Sequence, residues 1–79
     1  MTRKPLSVVD TAIKANLDAL RERLDVAKTM TLLAHSAMAD GNRNLAMGTI
    51  LDLETALPEC TALYGAIIAL HRSRLADDD

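Results

Sequence analysis

Residues 37–44 read Ala37-Met38-Ala39-Asp40-Gly41-Asn42-Arg43-Asn44, and they decide the fold. Upstream, no glycine or proline interrupts the chain after Pro5 until Gly41. Glycine takes the left-handed backbone that closes a helix at no steric cost. Asn42 or Asn44 can then accept from the free amides that open the next helix. Two helices joined by so short a stop fold back on each other. The segment therefore predicts an all-α, antiparallel helical hairpin with its turn near 40–44.

Ser7-Val8-Val9-Asp10 supplies the opposite signal. The Ser7 hydroxyl can cap a first-turn amide and Asp10 can reach back. A first helix then spans about residues 8–40, roughly 50 Å at ~1.5 Å per residue. Ile13, Leu17, Leu20, Leu24, Ala27, Thr31, Ala34 and Met38 alternate spacings of 4 and 3, a heptad seam. From Val26 a second stripe opens: Val26, Met30, Leu33 and Ala37.

The second half repeats the rhythm through Ala46, Ile50, Leu53, Leu57, Cys60, Tyr64, Ile67 and His71. Pro58 falls inside it without a phase slip. A proline lacks the amide hydrogen and crowds the preceding turn, so the second helix is expected to kink or break near Pro58. The reading divides the chain into a tail at 1–7, a hairpin domain at 8–76 and an acidic tail at 77–79.

A chain of 79 residues buries only roughly 60 % of the surface its unfolded form exposes. Cys60 is the one cysteine, so no intrachain disulfide supports it. Tyr64 is the one aromatic, so Leu, Ile, Val, Met and Ala must build the core. Ala62–Leu70, ALYGAIIAL, carries no charge, whereas the segment opposite it shows one apolar side. Gly65 and Ala69, and Ala62 and Ala66, stand four apart, a spacing that permits close helix contact. A second copy of the chain is the simplest cover. The hairpin is expected to dimerise into a four-helix bundle through Leu63, Tyr64, Ile67, Ile68 and Leu70. The arc of Val26, Met30, Leu33 and Ala37 is the candidate face for another protein.

The residues carry little catalytic chemistry. Neither His35 nor His71 follows a Glu by three positions, as di-metal helix bundles require. Cys60 sits on the apolar seam beside Glu59, the wrong setting for a reactive thiolate. The three glycines are isolated, so no phosphate loop exists. The reading is of a non-enzyme without cofactor or metal. The net charge is −2, and no leader-like or membrane-length apolar run is visible, which predicts a soluble cytoplasmic protein. The primary functional expectation is a homo-oligomeric interaction module or regulator that binds another protein. The alternative is a nucleic-acid-binding regulator. It would use Arg3, Lys4, Lys14, Arg72 and Arg74, which an antiparallel hairpin gathers at its open end.

Two resemblances attach to particular segments. AMADGNRNLAMGTILDLETAL (37–57), within Leu24 to about Leu57, resembles a family of small uncharacterised helical-hairpin proteins of pseudomonads. That likeness implies a fold of two helices about an acidic-glycine turn and no particular activity. LDVAKTMTLLAHSAMADGN (24–42) and the LADDD end (75–79) resemble the Rop-type plasmid RNA-binding regulators in architecture. That likeness implies a hairpin that dimerises into a four-helix bundle. Rop-type RNA binding uses an aromatic on the outer face of the first helices, and the first helix here has none.

Overall fold

A computed structural model describes residues 7–77, with side chains through Ser73. Its elements in order are α1 (Val8–Ala39), α2 (Arg43–Leu51) and α3 (Leu53–Asp77), and no strand occurs among the described residues. The Ser7 hydroxyl accepts from the Asp10 amide at 3.0 Å and so caps the first turn of α1. At the far end Gly41 takes φ +79°. The Asn42 amide donates to the Ala37 carbonyl at 2.8 Å, and the Gly41 amide to Met38 at 3.0 Å. Those two bonds are a Schellman closure, which requires the left-handed residue at 41. The Asn42 side chain then accepts from the Leu45 amide at 3.1 Å and starts α2. One tripeptide thus ends one helix and begins the next, and the chain reverses.

The discontinuity in the second half occurs at Asp52, not at Pro58. Pro58 lies within α3. The Asp52 amide donates to Thr49 at 3.2 Å, a tightened turn of the kind that closes a helix. Local chemistry accounts for the place. Gly48, Thr49 and Asp52 are poor helix formers, and the Thr49 hydroxyl donates back to the Leu45 carbonyl at 2.9 Å, a bond that bends helices. Proline crowds the turn before itself, so the distortion falls upstream, where the helix is weakest.

The heptad phase also differs from the sequence expectation. Write the line Ile13, Leu20, Ala27, Ala34 as position a, and likewise Ala46, Leu53, Cys60, Ile67. The expected seam joined a to the next line, position e: Leu17, Leu24, Met38 and Leu57, Tyr64. The hairpin instead closes on a and d: Asn16, Arg23, Met30, Ala37 and Thr49, Ala56, Leu63, Leu70. The buried residues are Ala27, Ala34, Ala37, Ala46, Leu53, Ala56 and Cys60. Ala27, Leu53 and Ala56 form the central cluster, with Met30 and Ile50 packed against it. The physical reason is size. Alanines on facing lines let two helices approach closely, and the larger side chains of line e, Ile50 apart, are then left outside.

Candidate interaction surfaces

Arg23 faces Glu59 across the hairpin at 3.6 Å, and Ala27 lies level with Leu53 and Ala56. This register puts Leu17 level with Tyr64 and Leu24 level with Leu57. In an antiparallel pair the two e lines share one flank and the two g lines share the other. The e flank therefore carries Leu17, Leu24, Met38, Leu57 and Tyr64, each between 48 and 60 % exposed. Five large apolar side chains half out of the core on one side of so small a domain form a patch of the kind that marks interaction sites.

The g flank is different. Its middle is closed by Arg23, which also pairs with Glu22 at 3.2 Å. A shallow groove there is lined by Ala19, Glu22, Arg23, Glu59, Ala62 and Leu63. Nearer the turn, Val26, Met30 and Leu33 line a second, mostly apolar groove beside Glu22, Asp25 and Thr29. A third brings Leu33 together with Ala37, Leu45 and Thr49.

The residues read from the sequence as an oligomer interface divide between these surfaces. Leu63, Ile67 and Leu70 lie half-buried on the hairpin's own seam, Ile68 is half-buried on the line beyond the e flank, and Tyr64 stands on the e flank. Of the partner arc, Val26 and Met30 are half-buried, Leu33 is exposed and Ala37 is buried in the seam. Leu17, Leu24, Met38 and Leu57 were placed by the sequence in the hairpin seam rather than at a surface. Their signal was present all the same, because three apolar positions per heptad exceed what one helix pair can bury.

Of the basic cluster, Lys14 pairs with Asp18 at 2.9 Å, and Arg72 is exposed. Arg3 and Lys4, and the Arg74 side chain, lie outside the described residues. His35 sits near the turn and His71 near the open end, while the Cys60 thiol is buried between them. No group of three or more His, Cys, Asp or Glu side chains that would hold a metal gathers among the described residues.

Taken as one segment, Arg43–Ser73 is long and apolar enough to cross a membrane by length and composition, and 17 % of its most apolar window is buried. The sequence by itself shows no uninterrupted apolar run of the roughly 20 residues a membrane span needs. No family model matches the chain, and no curated protein or solved structure matches it either.

Proposed function

We propose that this chain is a non-enzymatic interaction module: a small soluble, cytoplasmic hairpin that works as a homo-oligomer and holds another protein on an apolar helix face. One observation carries the reading. The hairpin buries five alanines with Leu53 and Cys60, while Leu17, Leu24, Leu33, Met38, Leu57 and the lone tyrosine stand about half exposed or more. Burying a large apolar side chain stabilises by about 1.5–3 kcal/mol. A surface that leaves several of them wet is built for contact.

The two flanks suit two kinds of contact. The e flank is broad and runs along both helices, which suits a copy of the same shape. The grooved side of α1, with Val26, Met30 and Leu33, is narrower and suits a helix or peptide with a few apolar anchors. The membrane is the less apt cover for Arg43–Ser73. Asp52, Glu54 and Glu59 stand within that segment, and a carboxylate at a bilayer centre costs at least about 2.5–3.5 kcal/mol.

Native mass spectrometry of the protein taken gently from its own host tests the reading. A homo-oligomeric mass is expected, together with a heteromer lost on Val26→Glu with Leu33→Glu. A protein that stays monomeric and unaccompanied at micromolar concentration overturns it.

A further inference from the structure

The e flank and its charged edges specify what covers it. Beyond line e on α1 runs position b, occupied by Lys14, Arg21, Lys28 and His35 at seven-residue intervals. Beyond line e on α2 and α3 the same position holds Met47, Glu54, Thr61 and Ile68. One edge of the flank thus carries three cations, of which Lys14 is already paired with Asp18, and the other carries a single charge, which is negative. The hairpin register, fixed by Arg23 opposite Glu59, places Lys28 level with Glu54. Both are exposed, and neither enters an ion pair within the chain among the described residues.

We propose that a second copy of this chain covers the e flank. A two-fold axis runs along the helices, both turns lie at the same end, and α1 of each copy rests on α2 and α3 of the other. The proposal rests on the homo-oligomeric reading above and names its face and geometry. A lengthwise axis keeps every residue at its own level. Leu17 then meets Tyr64 of the partner subunit, Leu24 meets Leu57 of the partner subunit, and Lys28 meets Glu54 of the partner subunit, each contact occurring twice. The other two-fold arrangement, with the axis across the helices, stacks α1 on α1. It sets the basic edge against itself, with Arg21 near Lys28, and like charges so placed repel. The area suffices: the hairpin measures 57 × 29 × 13 Å, and a flank of that length and breadth readily supplies the ~800 Å² per partner of a stable interface. A slab one helix thick also gains the second layer that a domain core requires.

Charge reversal reads the arrangement, with sedimentation equilibrium as the measurement. Lys28→Glu and Glu54→Lys should each weaken self-association about tenfold, since each change turns two attractive pairs into two repulsive ones. The double variant should recover most of the loss. In a Cys60→Ala background, Lys28→Cys with Glu54→Cys should oxidise to a covalent dimer. Arg21→Cys with Lys28→Cys, which reports the crossed arrangement, should not. If the dimer persists while the second pair links and the first does not, the geometry proposed here falls and the homo-oligomeric reading stands. A dimer that survives Leu24→Asp with Leu57→Asp removes the e flank from the interface. A chain monomeric at every concentration overturns both the geometry and the oligomer. The charge variants keep Cys60 and so decide the matter even where the cysteine background perturbs folding.

Discussion

The half of the hairpin next to the turn and the half at its open end use the same heptad rhythm with different results. Among the described residues, those that are buried all lie from Ala27 to Cys60. In the open half, Ile13, Leu20, Leu63, Ile67 and Leu70 hold the seam positions, and each is only half-buried. Larger side chains have bought less burial than alanines. The cause is on the same lines: Asn16 and Arg23 occupy seam positions of α1 in the open half, where Met30 and Ala37 stand nearer the turn. The Asn16 amide turns back to the Ala12 carbonyl at 2.8 Å, and Arg23 reaches outward to two carboxylates. Polar groups on a seam leave its apolar neighbours less covered, so the a and d lines bury fully only in the turn half, while both halves leave large side chains such as Leu17, Leu24, Met38, Leu57 and Tyr64 for a second layer.

The largest effect belongs to the closed half. Leu53→Ala removes the one leucine of the central cluster, and such changes cost about 2–5 kcal/mol. A domain of this size has little more than that in total. Circular dichroism should show helicity lost at room temperature. A variant that melts as the parent does would mean that the core lies elsewhere than around Ala27 and Ala56.

Ile67→Asp strikes the open half. An unpaired carboxylate in a half-buried seam costs a few kcal/mol, less than full burial would. The expected outcome is halved mass with frayed ends and a turn half still helical. If mass and helicity both stay unchanged, residue 67 is uncovered in the assembly as well. Amide hydrogen exchange sharpens the same contrast without mutation. On dilution, exchange should rise first in residues 8–26 and 61–73 and least between 27 and 60, because the fully buried seam residues lie in the turn half. Equal acceleration in both halves would mean that the hairpin unfolds as one unit on dissociation.

These expectations also mark how far the sequence was legible. The helices, their caps and the reversal at Gly41 followed from residue types with one steric meaning, and the structure has them. The seam phase did not follow, because line a borders both d and e and a period of seven fits either pair. Leu17, Leu24 and Leu57 drew the reading to e by their size, whereas Ala27, Ala34 and Ala56 decided it by their smallness. The break was misplaced for a similar reason. Pro58 is the strongest single signal in the second helix, yet Gly48, Thr49 and Asp52 together yield first. Candidate surfaces depend on that phase, so they were the least legible part.

Gly65→Ala separates two uses of a small residue. Nothing lies within 4 Å of where its Cβ would stand, and alanine is favoured over glycine within a helix by about 0.5–1 kcal/mol. For a domain this small that is a rise of roughly 2–8 °C in Tm. If assembly weakens instead, another helix approaches at Gly65, and the small-residue spacing with Ala69 marks a contact between copies.

The smallest effect is expected where the two halves meet. Arg23 and Glu59 pair at 3.6 Å with side chains 34 and 45 % exposed, and pairs open to solvent are worth about 0.2–1 kcal/mol. Losing the pair by Arg23→Ala should therefore lower Tm by roughly 1–8 °C, and its ion-pair part should vanish as salt is raised. Arg23→Leu is the sharper version. It fills the same seam position with an apolar side chain, and the open half should tighten, with slower exchange in residues 61–73 at all dilutions. If Arg23→Leu leaves that exchange unchanged, the polar seam does not hold the open half apart, and the contrast between the halves must come from their distance to the turn.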